Sequence, residues 1–401
     1  MEEGKDPPTT VISRSNQSRA LPQRLIQLLA LFLLLCFAIS LFSIYMIRKT
    51  GVVTTVTSAI PMLQPCIQAQ PQNNLDHWIT PPSNLVHTMS DKELFWRASF
   101  VPQLKKYPFA RVPKIAFMFL TKGPLPLAPL WERFFKGHNS LYSIYIHSLP
   151  SFQARFPSTS VFYQRQIPSQ IAEWGRMSMC DAERRLLANA LLDISNEYFI
   201  LVSESCIPLY NFTITYRYIT RSKYSFMGAF DDPGPFGRGR YNPNMLPEVN
   251  ISQWRKGSQW PACYVDEHYF PTLLTIQAPK LLANRSLTWV DWSRGGPHPA
   301  TFGAMDITEE FMKKLHEGRE CVYNDKPSLM CYMFARKFAP TTSPDFSSAL
   351  QLLTPAVAHV FTIVSDLCCH WLIMDNDKKI LLNIIRSISE STYTIPVSTT
   401  R

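Results

Sequence analysis

The segment Val265-Asp266-Glu267-His268-Tyr269 gathers two carboxylates and an imidazole, side chains that move protons or hold metal ions. Read as extended chain, it turns Asp266 and His268 to one side and Glu267 to the other, so the three do not converge on one ion. Glu267 then lies beside Tyr264, Tyr269 and Phe270, whose rings would partly desolvate it and keep it basic. That suits a general base; the plainer alternative is a carboxylate that caps a following helix. Thr121-Lys122-Gly123 and Ser203-Glu204-Ser205 each follow a compact apolar run. The loop 230–241 sets Asp231, Asp232, Arg238 and Arg240 among Pro and Gly, and 254–260 adds Trp254 and Trp260. Adjacent carboxylates before Pro233 read as a turn signal or as a displaced metal pair. Neither a GxGxxG fingerprint nor a P-loop occurs, so dinucleotide binding and NTPase chemistry lack their usual signal.

These groups need elements to hold them. Residues 114–120 (KIAFMFL) have the length and continuous apolarity of a buried strand, and 127–135 follow as a short helix. Residues 142–147 and 161–163 read as further strands, 178–195 as a helix, and 198–203 (YFILVS) as another strand. Alternating strands and helices predict an α/β fold with a doubly wound, mostly parallel sheet. Its ligand crevice lies at the carboxyl ends of the strands, which puts Lys122 and Glu204 at the site.

Residues 25–47 carry no charge, and at about 1.5 Å per residue they are long enough to cross a hydrocarbon core of about 30 Å. Basic residues cluster before this run, and none occurs between Lys49 and Lys92, which predicts a cytoplasmic tail (1–24), a signal anchor (25–47) and a luminal remainder. Eight of the nine cysteines fall after residue 47, as do the glycosylation sequons at Asn211, Asn250 and Asn284, consistent with an oxidising compartment. Residues 48–90 are Pro-rich with few charges and read as a stem. At 46% hydrophobic and 17% charged the chain is not disordered, and its net charge of +10 forms no basic run of the kind nucleic-acid arms carry.

The motifs KIAFMFLTKGPLPLAPLWERFFKGH, IPSQIAEWGRMSMCDAERRLLANALLD, FILVSESCIPLYNFT, FDDPGPFGRGRYNPNM, CYVDEHYFPTLL, WSRGGPHPATFGAMDIT and CYMFARKFAP, spread over about 91–353, resemble the plant branch of the core-2/I-branching β-1,6-N-acetylglucosaminyltransferase-like family. The resemblance implies a type II Golgi membrane protein with a GT-A-like nucleotide-sugar domain. It implies inverting transfer of N-acetylglucosamine or a related sugar from a nucleotide donor, taken as UDP-linked, to a glycan on a secreted glycoprotein or wall polysaccharide. It implies further that no divalent metal is required and that the partners are the nucleotide sugar, the glycan and the membrane, with room for a homo-oligomer. Glu267 corresponds to the family's catalytic base. Lys337, with Arg294 second, would neutralise the diphosphate; Thr121, Lys122, Arg176 and Glu204 would lie near the donor, and Asp231, Asp232, Arg238, Arg240 and Trp260 near the acceptor.

Two departures stand against the family pattern. Trp260 is followed at once by Pro261, where a further helix-bearing segment normally intervenes, and residues 354–401 have no familial counterpart. They leave open a second outcome, a catalytically silent anchored variant that binds glycans or acts as a scaffold. A metal-dependent hydrolase using Asp266 and His268 is a remote third.

Overall fold

The computed structural model describes residues 23–49, 81, 84–101, 107–257, 265–295, 298–316 and 319–339, with two short strands at 364–365 and 372–374. The chain divides into two units, Met1–Asn74 and Leu75–Arg401.

In the first unit, α1 (Gln23–Lys49) presents Leu31, Phe32, Leu33 and Leu34 at more than 60% exposure. Ser40 turns its hydroxyl back to the Cys36 carbonyl at 2.9 Å, which hides its polarity within the helix. Among the described residues no helix is long and apolar enough to cross a membrane; the unbroken stretch of described side chains in α1 runs only over 30–42. The tail and the stem, apart from a few residues after 80, lie outside the described residues.

The second unit opens with α2 (Asp91–Ala98), started by a reciprocal Ser90–Glu93 capping box. Asp91 takes two bonds from Arg185, at 2.7 and 2.8 Å, across to a later helix. The central sheet contains β1 (Lys114–Leu120), β2 (Tyr142–His147) and β3 (Asn196–Ser203), with β1 in the middle and both neighbours parallel to it. Helix α3 (Ala128–Phe135) makes the first crossover and α4 (Met177–Leu191) the second. Alternation along β1 separates the faces. Phe117 and Phe119 join a cluster with Trp131, Phe134 and Phe135 of α3, while Ala116, Met118 and Leu120 join Leu186, Leu187 and Ala190 of α4. Burial on both faces explains the unbroken apolar run. A strand at Leu372–Met374 adds antiparallel to the β3 edge.

Just past β3, β4 (Cys206–Pro208) moves into a second, mixed sheet. After α5 (Phe212–Thr220) and a long loop come α6 (Val265–Gln277), β5 (Thr288–Val290) and α7 (Glu309–His316). The hairpin of β6 (Cys321–Tyr323) and β7 (Lys326–Ser328) follows, next to the Cys321–Cys331 disulfide. Strand β8 (Phe334–Arg336) then pairs antiparallel with β4 and parallel with β5.

Two local expectations fail. Residues 161–163 form turns, and the bridge to Ile146 comes instead from Gln166; Phe162 is buried as a plug under α3. The 265–269 segment is the first turn of α6, so Asp266, Glu267 and His268 fan around a helix at about 100° per residue instead of alternating. Pro271 lies inside this helix and disguises it in the sequence.

Trp131 locks the two sheets together. It is 1% exposed, packs on Phe119 at 5.2 Å, and donates from Nε1 to the Cys206 carbonyl at 3.0 Å. Trp131→Ala is expected to cost about 3–5 kcal/mol, and Trp131→Phe only the orphaned carbonyl, about 1–3 kcal/mol. Denaturant unfolding of the two variants against the parent chain checks the order.

Candidate active site

The carboxyl ends of β1 and β8 and the turn after β3 converge. Thr121 is tied to the sheet by its N–H to the His147 carbonyl at 2.9 Å, and Lys122 follows it outward. Glu204 sits in the tight turn between β3 and β4. Burial pushes its carboxyl up to about 7, against the pull of its own backbone N–H and of the Lys122 and Lys337 charges. Its Oε2 is buried and has no hydrogen-bond partner among the described residues. His298 joins the same group: its ring stacks on Trp174 at 4.9 Å, and burial, then the charges of Lys337, Arg336 and Lys122, lower its pKa. Five separate segments thus bring Lys122, Trp174, Glu204, His298 and Lys337 together in one group.

The second half of the site is built on α6. Glu267 is 5% exposed in the first turn, and Gly257 donates to its carbonyl at 2.7 Å. Nearby, His268 stacks on Trp254 at 4.4 Å and bonds through Nδ1 to the Arg255 carbonyl at 2.8 Å, while Arg255 N–H donates to Thr272 Oγ1. Loop 254–257 is therefore fastened over the start of α6. That brings Lys256, itself 1% exposed, into range of Glu267. Burial, then the Asp266 charge, pushes the Glu267 carboxyl up to about 8, and Lys256, Arg336 and Arg240 pull it down. Its Oε2 is also buried without a hydrogen-bond partner among the described residues. His268 is driven down to about 4, chiefly by burial. Arg336, buried on β8, is felt by both Glu267 and His298 and so spans the two halves.

The other expected residues fall into three groups. Asp231 and Arg238 pair with each other through two 2.7 Å bonds, and Asp232 builds its turn by accepting from Gly234 N–H at 2.8 Å, with Lys256 Nζ 3.9 Å away. Asp232 thus serves the turn, and Asp231 is taken up by Arg238. A Cβ at Gly237 would sit 2.1 Å from the Asp232 carbonyl oxygen, so only glycine fits. Asp231, Asp232, Arg255 and Asn284 line a concavity of about 540 Å³. Arg294 and Arg176 are exposed: Arg294 lies 5.4 Å over the Phe302 ring, and Arg176 precedes α4. Trp260 lies outside the described residues. Asn211 is exposed and caps α5 by accepting from Ile214 N–H, and Asn250 and Asn284 are exposed in turns. A larger cavity, about 640 Å³, opens at the amino ends of β1 and β2, away from this chemistry. Among the described residues no cluster of His, Cys, Asp or Glu is arranged to hold a metal ion. The sequence reading did not single out Lys256, His298 and Arg336, although His298 and Arg336 lie within the motifs WSRGGPHPATFGAMDIT and CYMFARKFAP.

Residues 115–262 and 261–316 match the model of the Core-2/I-Branching enzyme family, in two pieces that meet at 261–262. The chain belongs to this family. It is also 35% identical to a rice protein, Glycosyltransferase BC10 of Oryza sativa subsp. japonica, over 297 aligned positions covering 56% of this chain and 73% of the relative. Those positions outnumber the residues this chain contributes, so the relative carries residues within the span that this chain lacks. The chain is a glycosyltransferase, and its mixed α/β architecture with three parallel strands fits a GT-A-like fold.

Burying Glu267 has a stability cost with a definite sign. Its folded pKa, about 8, exceeds the ordinary carboxylate value of 4.5, so the folded chain holds a proton the unfolded chain releases. Stability therefore falls as pH rises through that window. Glu267→Gln removes the penalty: it should unfold like the parent near pH 5 and resist unfolding better near pH 8, by on the order of 1–4 kcal/mol. Thermal melts at the two pH values read this difference.

Proposed function

We propose that the chain is an inverting transferase that moves N-acetylglucosamine or a related sugar from a UDP-linked donor to a glycan hydroxyl without a divalent ion. What carries this reading is the buried Glu267 carboxyl, raised to about 8 and with its Oε2 lacking a hydrogen-bond partner among the described residues, on one side of a charged group whose other side gathers Lys122 and Lys337. A desolvated carboxylate with a raised pKa suits the removal of an alcohol proton as its oxygen attacks. Fixed ammonium groups suit the charge that develops on a departing diphosphate. The Arg336 charge acts on both Glu267 and His298 and so links the two sides. Arg240 and the Asp231–Arg238 pair border the acceptor side.

The reading of α1 as a Golgi signal anchor with the transferase unit luminal rests on the uncharged run 25–47 and the basic bias before it. The three exposed sequons and the Cys321–Cys331 disulfide support the luminal side. A catalytically silent, glycan-binding variant has one observation in its favour: the family match breaks at 261–262, beside the acceptor side.

Detergent-solubilised full chain, supplied with UDP-sugars and a glycan acceptor panel in excess chelator, should transfer sugar. Glu267→Gln should lower kcat on the order of 10²–10⁴-fold. Full activity in that variant rejects the base, abolition by chelator rejects metal independence, and donor binding without turnover selects the silent variant.

A further inference from the structure

Glu204 is an odd resident for an anion site. A bare carboxylate between Lys122 and Lys337 would neutralise the two cations and repel the diphosphate they are meant to hold. The geometry leaves such a carboxylate only partly compensated: its own backbone N–H and the two lysines favour ionisation, but Oε2 is sealed from solvent and accepts no hydrogen bond among the described residues. The groups that face it are Lys122 from the end of β1, Lys337 from the end of β8 and the Cys206 thiol of β4. His298 and Arg336 lie in the same field of charges.

We propose that Glu204 is a catalytic acid of the leaving-group site, entering the reaction protonated and donating its carboxyl hydrogen to an oxygen of the departing diphosphate. The proposal rests on the donor-site reading above. Glu204 already sits near the balance, at about 7. A donor adds negative charge beside it and engages both lysines, and each change favours the neutral acid. A protonated carboxyl then supplies what a metal ion would supply elsewhere, a positive edge aimed at a phosphate oxygen.

In the transfer step the acceptor oxygen bonds to the anomeric carbon as the bond from that carbon to the phosphate oxygen breaks, and its electron pair stays on the diphosphate. The acceptor proton passes to Glu267 and the Glu204 proton to the diphosphate. After release, Glu267 returns one proton to solvent and Glu204 recovers one. The two carboxylates lie in separate halves of the site, Glu204 giving up a proton on the donor side as Glu267 takes one on the acceptor side.

The distinguishing sign is proton uptake when donor binds. UDP-N-acetylglucosamine, UDP-galactose and UDP-xylose serve as probes, because the diphosphate diester of a sugar nucleotide does not titrate near neutrality and any proton taken up goes to the protein. Calorimetric titration of the full chain near pH 8, in buffers of different ionisation heat, should show most of one proton taken up per donor bound. Affinity should weaken up to tenfold per pH unit above that point. Glu204→Gln, which keeps a hydrogen-bond donor but cannot titrate, should bind donor without uptake and lose the alkaline fall in both affinity and kcat. Glu204→Asp should restore uptake. If none of the three nucleotides binds, the donor-site reading falls and this inference with it. If they bind with no buffer-dependent heat, or if uptake persists in Glu204→Gln, the inference alone is overturned.

Discussion

The constraint on which this site turns is desolvation of carboxylates among fixed cations. Glu204 and Glu267 are both withdrawn from water, and for each the largest influence on the proton is burial, not a charged neighbour. In water the surrounding lysines and arginines would hold both ionised; here their pull is outweighed, and the acids titrate near neutrality. Such groups exchange protons at low driving force, which is what acid–base chemistry at neutral pH needs. They also burden the folded state, and the cost must be met by packing elsewhere. The ring cluster around Phe117, Trp131 and Phe135 lies directly behind the strand ends that carry the charges and supplies that packing.

Convergence of the charged groups follows from topology. Because β1 lies between β2 and β3, the two crossovers pass on opposite faces and leave a crevice at the carboxyl ends. The chain then changes sheets within one short turn, Ser203 ending β3 and Cys206 starting β4, so Glu204 is held by two sheets at once. Strand β8 pairs with β4 and delivers Arg336 and Lys337 to the same place from more than a hundred residues away. A cation brought in by a sheet has little freedom to reorient, which matters when it must meet a charge that exists only at the moment of bond breaking.

Legibility in the sequence followed the range of the forces involved. Residues 114–120 and 142–147 were plain because a strand buried on both faces must be apolar throughout, and the observed bounds agree. Val161, Phe162 and Tyr163 had the same composition, yet Phe162 is buried from a turn; short apolar runs do not report their backbone. Helix α6 was hidden because its first turn is charged and Pro271 interrupts it. Three-residue strands such as β4, β5 and β8 carry too little pattern to read, although the second sheet depends on them. Glu204, Glu267 and Lys337 were singled out through long motifs. Lys256 and Arg336 act on Glu267 through space, and their role appears only once the chain is folded.

The break in the family match at 261–262 adjoins Glu267, so the question is whether the base depends on what is missing. The contacts argue that it does not. Gly257 N–H to the Glu267 carbonyl, Arg255 N–H to Thr272, the Arg255 carbonyl to His268, and the His268–Trp254 stack all join the segment before the junction to the helix after it. These fastenings fix the start of α6 relative to loop 254–257 whatever the length of the connection between them. The loop is in turn bridged to Phe230 by paired backbone bonds, which ties it to the Asp231–Arg238 turn. A shortened connection therefore removes surface beside loop 254–257 before it disturbs the carboxylate. Under the proposed reading its physical consequence falls on the acceptor side, while the positions of Glu267, Lys122 and Lys337 are set by elements that remain.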